Sequence, residues 1–196
     1  PARARQVIFL FMHGGPSQVD TFDYKPMLAK DHGKPLPFNK PRVFSSQTGN
    51  LLKSPWQFRQ YGKSGAWVSD LFPKVAQHVD DMCIINGMHG SNSRHGAALL
   101  ELHTGSDTFV RPSMGAWITY GLGTENQNLP GFIAMCPGGY PIVSTQNWRS
   151  SFLPGAYQGT YIDSQHTDVD KLIANIRNPR LSADAQRQQL DLLKQL

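Results

Sequence analysis

Six apolar residues in a row, Val7-Ile8-Phe9-Leu10-Phe11-Met12, run directly into the turn His13-Gly14-Gly15-Pro16-Ser17-Gln18-Val19-Asp20-Thr21-Phe22-Asp23. A run with no polar break has no face to give to water. It predicts a strand buried on both sides, as in a parallel sheet covered by helices. In open α/β sheets ligands bind just beyond the carboxyl ends of the strands. Ser17, Asp20 and Asp23, placed at such an edge, are therefore candidate functional groups. The same spacing also suits a plainer role, in which Ser17 or Asp20 caps the next helix or turn.

A second apolar segment, Met82 to Ile85, predicts a second buried strand and leads into Asn86-Gly87-Met88-His89-Gly90-Ser91-Asn92-Ser93-Arg94-His95-Gly96-Ala97-Ala98. From Arg94 to His103 the apolar residues Ala97, Ala98, Leu99 and Leu102 recur at helical spacing, and Gly105 is a natural stop. A hydroxyl just before a helix N-terminus can attack an anionic ester, because backbone N–H groups and the helix dipole stabilise negative charge there. Arg94 adds a guanidinium able to clamp a tetrahedral oxyanion. His95 is a candidate metal ligand or proton donor to the leaving group. The plainer reading makes Ser91 or Ser93 the helix cap, with Arg94 and His95 solvated in the first turn. His103 reads as a packing or capping residue.

Elsewhere the pattern predicts helices at 69–80, 112–122, 168–177 and 182–196, the last with Leu190, Leu193 and Leu196 on one stripe and Ser182 as its cap. A third strand is predicted at 131–136. Residues 24–64, with Pro26, Pro35, Pro37, Pro41 and Pro55, and residues 137–164 read as long loops over a sheet edge. The order of strands and helices is that of an α/β protein.

Composition narrows the function classes. The chain has 196 residues, a net charge of +5 and only 17% charged residues. The cations are dispersed, with no Lys/Arg block of the kind that binds nucleic acid. No apolar run approaches a membrane span. Cys83 and Cys136 each border an apolar segment, which predicts buried free thiols on neighbouring strands ahead of a disulfide. The opening Pro1-Ala2-Arg3-Ala4-Arg5 lacks an initiator Met and reads as a processed or trimmed start.

Several short motifs together resemble one known family. They are Gly14-Gly15-Pro16-Ser17 with Asp20-Thr21-Phe22-Asp23 and Lys25-Pro26, then Gly87-Met88-His89, His95 with Ala97-Ala98 and Thr104-Gly105, and Arg111-Pro112-Ser113-Met114-Gly115. Asn128-Leu129-Pro130-Gly131-Phe132, Phe152-Leu153-Pro154 and Tyr157-Gln158-Gly159-Thr160 continue the series, which ends in the helix from Leu181. This is similar to domain of unknown function 1501, a bacterial family abundant in planctomycetes and often labelled sulfatase-like. The resemblance implies a place in the alkaline phosphatase superfamily, with a mostly parallel sheet sandwiched by helices. It further implies that residues 1–196 are the N-terminal part of a single sulfatase-like α/β domain, the sheet being incomplete in this chain.

By the same resemblance, a carboxylate after the first strand binds a divalent metal, and a hydroxyl after the next strand is the nucleophile at a helix N-terminus. Carried onto this sequence, the catalytic residues are Ser91, Arg94 and His95, and the metal ligands are Asp20 and His95. Zinc and calcium are the candidate ions, with the remaining ligands expected in a missing C-terminal half or a partner chain. The formylglycine consensus of sulfatases is absent, since no Cys opens the motif. The expected activity is metal-dependent hydrolysis of phosphate or sulfate esters, with an anionic ester or a sulfated polysaccharide as substrate. The alternative is a non-catalytic anion- or polysaccharide-binding protein, or an assembly protein whose last helix docks. For the binding role Trp56, Trp148, Phe152 and Tyr157 are the candidate stacking residues. Periplasmic or secreted placement is implied by the resemblance alone.

Overall fold

The computed structural model describes residues 4–39, 47–126, 128–174, 176–193 and 195. Pro1 to Arg3, Pro41 and Leu196, and the part of the 168–177 helix at Asn175, lie outside the described residues. The chain divides into two compact units, Pro1–His89 and Gly90–Leu196.

In the first unit, helix α1 (Pro26–Lys30) precedes an antiparallel hairpin of β1 (Phe58–Tyr61) and β2 (Ala66–Ser69), with Phe58 opposite Ser69 and Tyr61 opposite Ala66. Asp80 holds the hairpin turn by accepting the N–H groups of Lys63 and Ser64, both at 2.9 Å. Those two bonds keep the Asp80 carboxyl below its ordinary range, since they favour its charged form. The core is small. Val68, Ala76 and Val79 are buried, with Phe22, Tyr61, Ala66 and Phe72 packed around them. Burying each valine stabilises the unit by roughly 1.5–3 kcal/mol.

The predicted strand at 7–12 does not form, and the residues are irregular. Val7, Ile8, Phe9, Leu10 and Met12 are exposed, and Phe9 stacks on Phe11 at 6.2 Å. An extended segment becomes a strand only when a neighbour takes its backbone N–H and C=O groups. No strand pairing among the described residues includes this segment. The predicted strand at Met82–Ile85 is likewise irregular. The 69–80 helix is replaced: β2 takes Ser69, and a 3-10 turn takes only Val75–Asp81. The 24–64 loop contains α1 and β1, so it is not structureless.

In the second unit, α2 (His95–Thr104) buries Leu99, Leu100 and Thr104 and ends on Gly105, whose φ of 75° supplies the left-handed cap. Helix α3 (Met114–Leu122) starts at Ser113, whose hydroxyl accepts the Ala116 N–H at 3.4 Å. Strand β3 (Ile133–Met135) pairs in parallel with β4 (Thr160–Ile162), Ile133 opposite Thr160. The loop predicted at 137–164 thus supplies β4 and the 3-10 turns Ser144–Trp148 and Gly155–Tyr157. The ring of Phe132 is wedged beside two glycines. A Cβ on Gly115 would lie 2.5 Å from it, and one on Gly159 would lie 3.0 Å away.

Helix α4 is short (Val169–Leu172), so most of the helix predicted at 168–177 is not formed. Helix α5 (Ala183–Leu193) has Ser182 before it, whose hydroxyl accepts the Ala185 N–H at 3.2 Å as the cap expected there. The architecture is mixed α/β with two sheets of two strands each among the described residues. Both cysteines are free, but Cys83 is exposed and stands in no strand, and Cys136 is half-buried just after β3. Burial pushes the Cys136 thiol up.

Candidate functional site

The turn Gly90–Arg94 leads into α2 and is organised by side chains of its own unit. Asn92 sits at its centre. Its Nδ2 donates to Asp107 at 3.0 Å, and its Oδ1 accepts the Arg94 N–H at 2.9 Å. The Asn92 amide, with Thr108 behind it, holds the Asp107 carboxyl below its ordinary range. Arg94 occupies the N-cap position of α2 in extended conformation, and no side chain caps the helix. The first N–H groups therefore point outward at the positive end of the helix dipole, between the exposed side chains of Arg94 and His95.

Neither serine caps the helix. Ser93 is exposed, and its hydroxyl makes no hydrogen bond to a described residue. Ser91 is turned back along the helix flank. Its hydroxyl donates to Glu101 Oε1 at 2.9 Å, and its N–H donates to Oε1 at 3.2 Å and Oε2 at 2.9 Å. Glu101 stands six residues into α2, about 9 Å along the axis from His95. Ser91 thus precedes α2 by four residues, with its hydroxyl bonded to Glu101 of that helix's second turn. A Cβ on Gly90 would come 2.9 Å from Glu101 Oε2, so the carboxylate in this position lies close against the glycine.

Glu101 went unrecognised in the sequence. Its one signal is that it is the single acidic residue in the apolar stretch Gly96 to Leu102. Glu101 also lines an open, largely apolar groove of about 600 Å³ between α2 and α3, together with Leu102, His103, Trp117 and Leu122. His103 is half-buried there, and burial pushes its imidazole below the ordinary value. That accords with a packing role.

In the first unit, Asp20 ends a 3-10 turn (Gln18–Asp20) whose N-cap position is Ser17, with no bond from the Ser17 side chain. The turn is closed instead by Thr21, whose hydroxyl donates to the carbonyls of Ser17 and Gln18, both at 3.2 Å. Asp23 pairs with Lys25 at 2.8 Å. A cavity of about 370 Å³ lies between this turn, through Gln18, Thr21 and Asp23, and the later segment at Ile85, Asn86 and Met88. Asp20 thus belongs to one unit, and Ser91, Arg94 and His95 to the other. Among the described residues no three His, Cys, Asp or Glu side chains gather as a metal-holding set.

The predicted stacking residues separate. Trp148 is buried against Tyr140 and Tyr161, so it is an anchor and not a platform. Phe152 is 70% exposed and meets Trp117 edge-on at 5.8 Å, while Tyr157 meets Tyr120 at 5.2 Å. Trp56 is exposed in the first unit.

Fold and site together define a mixed α/β protein with an uncapped helix N-terminus and a carboxylate-bound serine beside that helix. A family model described as protein of unknown function, DUF1501, matches residues 4–196, and the chain belongs to that family. No curated protein and no solved structure matches it. No helix among the described residues is long and apolar enough to cross a membrane.

Proposed function

We propose that this chain carries part of a hydrolase of phosphate or sulfate esters on a sulfatase-like fold, with Ser91 as nucleophile. The observation that carries the reading is the uncapped start of α2 between the exposed Arg94 and His95. Outward N–H groups, a helix dipole and a guanidinium together favour a tetrahedral dianion or monoanion over a neutral ligand. In this reading Arg94 and the first N–H groups of α2 hold the equatorial oxygens, His95 donates a proton to the leaving oxygen, and Ser91 attacks. The cost of removing one such oxyanion donor is typically about 10²–10³-fold in kcat.

A divalent ion, with zinc and calcium as the candidates, belongs to the proposal as an addition to what the described residues supply. It would neutralise the ester. Asp20, or His95 in place of its role as proton donor, is proposed as a ligand, and no step here is routed through it. Periplasmic or secreted placement is part of the same proposal.

A second reading rests on the exposed Phe152 and Trp117 rings, whose faces suit the stacking of a sugar in a sulfated polysaccharide. In that case the chain binds and does not cleave.

The test is turnover of an aryl phosphate and an aryl sulfate by the full chain, with metal content measured alongside. Hydrolysis that disappears in Ser91→Ala and falls by about 10²-fold or more in Arg94→Ala supports the hydrolase. Inactivity on every ester, with polysaccharide binding lost in Phe152→Ala, replaces it with the binding reading.

A further inference from the structure

Resting on the assignment of Ser91 as nucleophile, we infer that Glu101 is the base that takes its proton. A serine hydroxyl is a weak nucleophile until an acceptor lies within hydrogen-bond reach. Ser91 Oγ has one, Glu101 Oε1 at 2.9 Å. The geometry is held from three directions. The Ser91 N–H binds both carboxylate oxygens, so hydroxyl and acceptor belong to one ring of bonds. The carboxylate lies close against Gly90. Asn92, the next residue, is tied to Asp107 and to the Arg94 N–H, which fixes the turn on its other side.

The contrast with Ser93 is internal to the same turn. Ser93 is exposed, has no hydrogen-bonded acceptor among the described residues, and so lacks a base. Glu101 also lines the groove of about 600 Å³ between α2 and α3.

The step balances as follows. The Ser91 O–H bond breaks and its proton passes to the Glu101 carboxylate. The Oγ–P (or Oγ–S) bond forms as the ester P–O (or S–O) bond breaks, and the leaving alkoxide takes a proton from His95. Water then gives a proton back to His95 and its hydroxide to phosphorus or sulfur, as the Oγ–P (or Oγ–S) bond breaks. Ser91 is released with its proton restored from Glu101.

An alkyl fluorophosphonate reads this assignment without any knowledge of the natural substrate. Oγ displaces fluoride, the proton goes to Glu101, and the adduct is located by peptide mass. The wild-type full chain is expected to label at Ser91 and not at Ser93. Glu101→Gln keeps a carbonyl to accept the Ser91 N–H, and should slow labelling by about 10²–10⁴-fold. Glu101→Asp, which keeps a carboxylate, should label faster than Glu101→Gln. Labelling of Ser93 as fast as Ser91, a Glu101→Asp variant no faster than Glu101→Gln, or an unslowed Glu101→Gln variant would each overturn the inference. The comparison of Ser91 with Ser93 needs no variant, so a misfolded Glu101→Gln protein does not decide the matter. Predicted labelling alongside a blank ester panel keeps Glu101 as the base and rejects the ester reading.

Discussion

Two turns follow apolar runs in this chain, and they are held in opposite ways. The turn at Ser17–Asp23 is closed by side-chain bonds that span four residues or fewer: Thr21 to Ser17 and Gln18, and Lys25 to Asp23. The turn at Gly90–Arg94 is held from afar, Ser91 by Glu101 ten residues on and Asn92 by Asp107 fifteen residues on. The first turn is tied to β2 through its backbone, the Thr21 carbonyl accepting the Ser69 N–H at 2.9 Å, but its side-chain bonds are all local. A turn bound to a helix flank fixes a hydroxyl relative to that helix, which a reacting group requires. In the proposed reading the chemistry therefore belongs to the second turn, and the first is a bend with a carboxylate at its edge.

The comparison breaks most easily at Asn92. Asn92→Ala removes two bonds, leaves Asp107 short of its amide, and is expected to cost about 1–3 kcal/mol in urea unfolding of the full chain. A smaller loss is expected from Thr21→Val, about 0.5–1.5 kcal/mol by the same measurement, because both lost bonds are local and long. If Thr21→Val costs as much as Asn92→Ala, the two turns are held alike.

The smallest effect is the pH dependence. The Asp107 carboxyl titrates below its unfolded value of 3.8 because the Asn92 amide binds its charged form. The stability from that bond is fully present above the unfolded value. It is lost as pH falls through the lower folded one. Asp107→Asn should therefore flatten the acid limb of an unfolding titration below about pH 4 and leave the neutral region unchanged.

What the sequence disclosed follows from how local each signal was. Helices α2, α3 and α5 were legible because their stops and caps (Gly105, Ser113 and Ser182) act within a few residues. Strand β3 was legible too, but its partner β4 is three residues long, too short to show a period inside a Gly- and Pro-rich stretch. The runs at 7–12 and 82–85 misled for one reason. Apolar character says that a segment seeks cover, while a strand needs a neighbour with matching backbone groups. At the site, Ser91, Arg94 and His95 stood out because they adjoin a helix start. Glu101 did not, because no spacing rule links a turn residue to one ten positions later on a helix flank.

The wedged ring of Phe132 has a consequence for how this chain can change over generations. An alanine at 115 requires the ring to move, and one at 159 requires it and the Trp148 side chain to give by a few tenths of an ångström. The tolerance of 115 to change is thus coupled to the residue at 132, and a smaller side chain at 132 is expected to relieve Gly115→Ala.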